Sequence, residues 1–367
     1  MKPNKNELIV LKILQANPYT NQKDIAQQMG LSRPAVANLI SSLQNKGYIL
    51  GKPYVLSTGK YITCIGGANM DHTFKLDQEM ILGTSNPITS SLSFGGVIRN
   101  VAENLSRLDS KVSLMSVVGN DAHGESLIES SSKIMEVFAV DKLKDQTTGG
   151  YYSIIDLKGN MKVGYADMSI NSAMNRGWIL EHKRHLYMSS WIVTDLNVSK
   201  EAVESLIEFR RQEDIPLAII GVSSPKMKHL PKDIKGIDII ICNKDETQIY
   251  FNTTNENAEE LCALWLEAGV NKAVVTDGTK GSYFGENKQV FHQSAFMIAE
   301  ENIVDVTGAG DSFSSGIIYG LSTNHSFQES VRLGAMSSSL TIQEPFAVNP
   351  KLSIHLIKKE LNKYDNI

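Results

Sequence analysis

From Tyr61 onward, short apolar runs recur at 61–65, 112–118, 185–192, 216–220, 237–241 and 272–276, each separated from the next by a stretch of helical periodicity. Such runs read as short strands covered on both faces, and their alternation with helices predicts an α/β fold with a doubly wound, mainly parallel sheet. Two segments break the alternation. Residues 72–92 and 147–167 are rich in alternating β formers, and Leu157-Lys158-Gly159-Asn160 has the chemistry of a hairpin turn, so these segments predict a small β lid.

The first 60 residues follow a different pattern. Residues 6–16 place Leu8, Ile9, Leu11, Ile13 and Leu14 at helical spacing, with Pro18 as terminator, and 21–29 reads as a second short helix. Gly30 supplies a turn. Ser32 is placed to cap a third helix with Pro34 in its first turn, Val36, Leu39, Ile40 and Leu43 on its apolar face, and Gly47 at its end. Residues 48–56 then read as a short hairpin. The expected organisation is an all-α helix-turn-helix head with a wing at 1–56, a linker at 57–60 and a second domain at 61–367.

At 367 residues, with 42% apolar and 21% charged residues, the chain has the size and composition of a two-domain globular protein. No apolar stretch reaches the roughly 18 residues of a membrane-spanning helix, and residues 1–7 lack the apolar segment of a signal peptide, so the expected location is the cytoplasm, with no membrane partner. Cys64, Cys242 and Cys262 are odd in number and set in apolar surroundings, which predicts buried thiols rather than disulfides or a zinc site. The net charge of −4 conceals an asymmetry: residues 1–60 carry eight Lys/Arg against Glu7 and Asp24, and the remainder is strongly acidic. A basic head on an acidic body suggests contact with DNA, although Arg33 and Lys46 alone are a thin supply of charge for the recognition helix.

Four segments carry chemistry. In Asp305-Val306-Thr307-Gly308-Ala309-Gly310-Asp311-Ser312-Phe313, a small-residue turn opens a helix with Phe313, Ile317, Ile318 and Leu321 on one face. Backbone amides at 308–310 and the helix N-terminus form an anion cradle, with Asp311 as a carboxylate beside it. Gly66-Gly67-Ala68-Asn69-Met70-Asp71 follows the first strand, where open α/β sheets bind ligands, and Asp71 suits vicinal hydroxyls. Asn243-Lys244-Asp245-Glu246 and Thr276-Asp277-Gly278-Thr279-Lys280-Gly281 each follow a later strand. Taken singly, each admits a local reading: a tight loop, an Asx turn, or acidic residues placed for the helix dipole.

Together the motifs resemble the ribokinase-like, phosphofructokinase-B type, family of sugar and nucleoside kinases. The run from Asp305 to Asp311 matches its Asp-Thr-x-Gly-Ala-Gly-Asp signature except at Val306, and the absence of a Gly-Lys-Ser/Thr run excludes a P-loop. The resemblance implies Asp311 as the base, with Gly308, Ala309 and Gly310 stabilising the transferring phosphoryl group. It implies substrate contacts at Asn69, Asp71, Gly95, Gly96, Asn100, Asp167 and Asn197. It implies ATP contacts at Thr276, Gly278, Gly281 and Asn349, Mg²⁺ held through water by Asn243 and Glu246, and a monovalent cation such as K⁺ at Asp305 and Thr307. Ile98 stands where the family's Gly-Gly-x-Gly-x-Asn element has glycine, and a branched residue there is expected to hinder close backbone approach.

Finer features, Ser85-Asn86-Pro87, Arg99-Asn100, Glu103-Asn104, 166–170, Asp195-Leu196-Asn197 and Val222-Ser223 with Lys226, resemble the pseudouridine kinase branch. The first 56 residues resemble the winged helix-turn-helix domains of bacterial regulators. The expected activity is ATP-dependent phosphorylation of a nucleoside hydroxymethyl group, most specifically pseudouridine to its 5′-phosphate, by a homodimer paired through its lids. Two alternatives stay open: another sugar kinase of the ribokinase or fructokinase type, and a transcription regulator whose kinase-like body senses a sugar or nucleoside. The head in turn reads either as DNA-binding or as a docking domain.

Overall fold

In the computed structural model, which describes residues 2–17, 20–51, 55–56 and 60–365, a nine-stranded sheet forms the body. Its spatial order is Gln289–Gln293, Ser282–Glu286, Lys272–Thr276, Ile239–Asn243, Leu217–Ile220, Ser189–Asp195, Tyr61–Ile65, Val112–Gly119 and Glu136–Leu143. From Lys272–Thr276 to Glu136–Leu143 every neighbouring pair is parallel, and the other two strands add as an antiparallel hairpin at one edge. Alternate side chains enter opposite cores: Leu217 and Ile219 join one apolar cluster, Ala218 and Ile220 the other. A strand apolar on both faces is what the continuous runs require.

Bounds shift by a few residues at several strands, and one run changes type. The run at 185–192 splits into a helical turn, Lys183–Leu186, and a strand, Ser189–Asp195, because His185 and Leu186 are buried and a short buried helix has the same apolar signature as a strand. Two edge elements carried no signal. Glu136–Leu143 and Gln289–Gln293 lie largely half-exposed or exposed, so their sequences mix polar and apolar residues without a clean run.

The lid is a four-stranded sheet, ordered Ile88–Gly95, Asn69–Leu76, Gly150–Ile155, Met161–Asp167. Its first strand begins at Asn69, directly after the turn that follows Tyr61–Ile65, so the lid is continuous with the candidate site. The hairpin at 157–160 forms as expected: Asp156 accepts the amides of Lys158 (2.9 Å) and Asn160 (2.8 Å), and Gly159 takes φ 84°. Cys64, Cys242 and Cys262 are free and buried.

The head has helices Lys5–Ala16, Gln22–Met29 and Arg33–Asn45, followed by antiparallel pairing of Ile49–Gly51 with Val55–Leu56. Ser32 accepts the Ala35 amide at 3.3 Å, and Gly30 is left-handed at φ 63°. Pro18 and the body of the 57–60 linker lie outside the described residues. Val10, Leu14, Ile25, Val36, Ile40 and Leu43 make its core. Lys46 is not free for a partner: its Nζ donates to both oxygens of Glu7, at 2.8 and 2.7 Å, tying the first helix to the end of the third. Burial alone would raise the Glu7 carboxyl, but hydrogen bonds from Lys46, Ser42 and the Asn4 amide outweigh it and hold the group below its ordinary range. Removing the cation leaves a buried carboxylate unpaired, so Lys46→Ala should destabilise the head by about 2 kcal/mol, whereas exposed Arg33→Ala should change it by under about 0.5. Denaturant melts of the two variants check this; equal stability would show that the ion pair holds nothing.

Candidate functional site

Three carboxylates gather at the carboxyl end of the parallel strands. Asp71 sits on the first lid strand, Asp195 ends Ser189–Asp195, and Asp311 lies in the first turn of helix Ala309–Ser322. Each is met by one asparagine amide: Asn69 Nδ2 donates to Asp71 at 2.6 Å, Asn197 Nδ2 to Asp195 at 2.9 Å, and Asn100 Nδ2 to Asp311 at 2.9 Å. Burial pushes all three carboxyls up, Asp71 to about 6, Asp195 to about 6 and Asp311 to about 7. The asparagine amides pull the other way in each case, and at Asp311 the charges of Asp195 and Asp71 add to the rise. A carboxyl raised to about 7, as that of half-buried Asp311 is, suits a group that gains and loses a proton near neutrality.

The turn at 95–96 permits this crowding. A side chain at Gly95 would collide with the Asp71 carboxylate, and Gly96, at φ 103°, passes so close to the Gly67 carbonyl that no Cβ fits. Asn100 comes from the helix that follows, Val97–Arg107, which packs on Ala309–Ser322. Ile98 corrects the expectation drawn from the sequence. It takes helical backbone, its side chain is wholly buried in the core, and its amide donates to Asp195, so nothing at this position needs glycine.

Helix Ala309–Ser322 opens at Gly308, left-handed at φ 77°, where a side chain would run into the Ala347 carbonyl. No side chain caps this helix, and the Ala309 amide is taken by the Val306 carbonyl at 3.2 Å. The amides of Gly310 and Asp311 stand in the first turn at the helix mouth, where no intrahelical acceptor precedes them. Ala309 and Gly310 also line a cavity of about 360 Å³ together with Thr276, Gly278 and Gly281. Its remaining wall is chiefly apolar, with Phe296, Ile303 and Ile342 among the lining residues, which sequence reasoning missed because a scattered apolar wall has no motif. Volume and lining suit a flat heteroaromatic group.

The other expected residues are placed as follows. Asn243, which pairs in register with Thr276, and Glu246 form a reciprocal capping box, with Glu246 accepting the Asn243 amide at 2.9 Å and donating its own to Asn243 Oδ1 at 2.8 Å. Glu246 is buried, which raises its carboxyl. Among the described residues no group of three or more His, Cys, Asp or Glu is arranged to hold a metal. That donor set fits Mg²⁺ only in its usual manner, keeping most of its waters and meeting few carboxylates. Asp305 accepts the Thr307 amide at 2.8 Å. Asp167 is exposed at the end of its lid strand and accepts from Ser169, outside the carboxylate cluster. Asn349 is buried and spent on its own loop, donating to the Leu340 carbonyl and accepting the Lys351 amide. It does not line the cavity. Asp195 is the further charged member of the site; in the sequence it figured only within the Asp-Leu-Asn triplet.

Comparison with known proteins gives the arrangement a context. Residues 60–353 match the model of the pfkB family carbohydrate kinases, and residues 3–49 match a winged helix-turn-helix DNA-binding model. The chain is 29% identical over 300 residues to the pseudouridine kinase of Escherichia coli, covering 80% of this chain and 94% of that protein. It is 27% identical to YeiI, an uncharacterized sugar kinase of the same organism, over 95% of this chain and 97% of the relative. Among solved structures, a carbohydrate kinase from Agrobacterium tumefaciens superposes with TM-score 0.73 at 26% identity, covering 83% of this chain and 97% of the other. Arabidopsis thaliana ribokinase complexed with ribose and ATP shares the fold, with TM-score 0.70 at 18% identity over 83% of this chain and 99% of that one.

The raised carboxyls have a consequence for stability. The folded protein holds these protons more tightly than the unfolded chain, whose aspartates titrate near 3.8. Their contribution to folding is therefore fully present below about pH 4 and is lost as pH rises through 6 to 7. Asp311→Asn should raise the melting temperature by about 2–4 °C at pH 8 and leave it unchanged near pH 4. Thermal melts at the two pH values test this, and a variant destabilised at pH 8 would overturn it.

Proposed function

We propose that this chain, which belongs to the pfkB family of carbohydrate kinases, phosphorylates the 5′-hydroxyl of a nucleoside, with pseudouridine as the specific substrate. Membership makes it an ATP-dependent kinase of a sugar or nucleoside; the choice of pseudouridine is the finer reading. The observation that carries it is the joining of two unlike compartments at one helix mouth. On one side lie Asp71, Asp311 and their asparagines, on the other the apolar cavity, and Gly310 lies between them.

In this reading Asn69, Asp71 and Asn100 hold the ribose, with Gly95 and Gly96 against it, and Asp311 takes the proton of the acceptor hydroxyl. The Gly310 and Asp311 amides and the helix dipole receive the anionic phosphoryl group. Thr276, Gly278 and Gly281 line the nucleotide cavity. Glu246 would meet Mg²⁺ through water, and Asp305 with Thr307 would offer oxygens to K⁺; when bound, Mg²⁺ supplies neutralisation of phosphate charge.

The head adds DNA contact. Its third helix exposes Arg33, Asn38 and Ser41, a cation and two side chains able to hydrogen-bond base edges, although Lys46 is withdrawn by Glu7. Half-sites are usually bound by dimers, and one face of the lid bears exposed Ile88, Leu92 and Tyr165, an apolar surface suited to a second copy of itself.

An ADP-release assay across pseudouridine, uridine, ribose, fructose and fructose phosphates should find pseudouridine used best. Far better turnover of ribose or a hexose would end the nucleoside assignment. Asp311→Asn should lower kcat by about 100- to 10,000-fold with nucleotide binding retained, and wild-type kcat/KM should rise with pH to a plateau above about 7, since the base acts ionised. Light scattering should report a dimer, and retention on DNA from upstream of its own gene should fall steeply with salt. A monomer with salt-insensitive or no retention would leave the head a docking domain.

A further inference from the structure

Asn171 lies in the short 3₁₀ helix Ser169–Ala173, which follows the last lid strand. It is only 3% exposed, yet its Nδ2 has no hydrogen-bond partner among the described residues. A buried amide nitrogen left unpaired is costly, and native structures rarely keep one without a ligand or water to satisfy it. Its nitrogen sits beside Gly67. The point at which a Gly67 Cβ would stand is 3.2 Å from Asn171 Nδ2 and 3.3 Å from Asn197 Nδ2, so the two amides converge on one bare backbone position. Gly67 lies two residues before Asn69, in the turn that carries the substrate pocket.

The second amide is held in place. Asp195 accepts both the Asn197 backbone amide at 3.0 Å and its Nδ2 at 2.9 Å. That occupies one of the two Nδ2 protons and leaves the other to a ligand. Two N–H donors converging on one place select a group that only accepts. Hydroxyls are better served by Asp71 and Asp311, which accept; a carbonyl oxygen, with two lone pairs and no proton, matches the amide pair. Pyrimidine nucleosides carry ring carbonyls, and cyclic ribose and hexoses carry none.

Resting on the nucleoside reading above, we propose that Asn171 is a specificity residue whose amide, beside that of Asn197, hydrogen-bonds a ring carbonyl of the substrate's base. Purified full-length protein and the variants Asn171→Ala and Asn171→Asp would be compared on pseudouridine and on ribose, the latter as substrate or as competitive inhibitor. Expected is a loss of about 10- to 100-fold in kcat/KM for pseudouridine, carried by KM with kcat within about 3-fold, while the constant for ribose stays within about 2-fold. Asn171→Asp, of the same shape but with an acceptor facing the carbonyl, should lose at least as much, and it decides the matter if the alanine variant folds poorly by thermal melt. Equal losses on both ligands, or none on pseudouridine, overturn the assignment alone. A wild-type enzyme that uses ribose or a hexose and no nucleoside overturns the substrate reading and this one with it.

Discussion

Three carboxylates share one pocket against their mutual repulsion, and the surrounding structure is arranged to make that tolerable without a cation. Asp71, Asp195 and Asp311 each accept from an asparagine amide, not from an ammonium or guanidinium group. The difference is chemical. A lysine or arginine at hydrogen-bond distance would pin a carboxylate well below its ordinary range, and a base so pinned has little appetite for a proton. A neutral amide orients the carboxylate and compensates burial only in part, so all three stay above their ordinary range. Cations act on the cluster only at a distance, Arg99 on Asp71 and Lys226 on Asp195, and the Arg99 guanidinium is itself paired with Glu103 at 2.6 Å and lies over the Phe94 ring.

The pocket's backbone shows the same constraint. Gly95 has no side chain because Asp71 occupies that space, and Gly66 has none because Asp195 does. Asp195 in turn ties the start of helix Val97–Arg107 to its own turn, accepting the Ile98 amide and, two residues on, the backbone amide and Nδ2 of Asn197. A change at Asp195 would therefore shift the Gly95-Gly96 turn and the Asn197 amide together. The isoleucine at 98 loses its significance here: what the site uses from this residue is its N–H, which any residue but proline supplies.

Much of this was legible in the sequence, for definable reasons. Interior strands were read correctly because burial on both faces leaves a continuous apolar run, and glycine-rich turns were found because close approach and left-handed backbone demand a particular residue. The edge strand Glu136–Leu143 was missed because one-sided burial leaves a mixed pattern. The apolar cavity wall was missed because Phe296, Ile303 and Ile342 come from different segments, joined only by the fold. Asn243 and Glu246 show the limit from the other side: their spacing satisfies a helix capping box in full, so spacing alone cannot separate a cap from a ligand set. Asn349, expected at the nucleotide, has its amide spent on neighbouring backbone.

The juxtaposition of an apolar cavity with a carboxylate pocket also bears on the competition every kinase faces from water. A base of raised proton affinity beside an open anion cradle would serve an attacking water as readily as a sugar hydroxyl, and phosphoryl transfer depends chiefly on positioning. Discrimination must come from geometry that exists only when the acceptor is seated. In the proposed reading Asn69, Asp71 and Asn100 fix where a polyol can sit, and the first two of these residues belong to the first lid strand. Displacement of the lid would thus move Asp71 relative to Asp311, which stays with its own helix. In the proposed reading the pocket is complete only with the lid strands and their ligand in register, and an acceptor large enough to span both, a ribose bearing a planar base, meets that requirement better than water does.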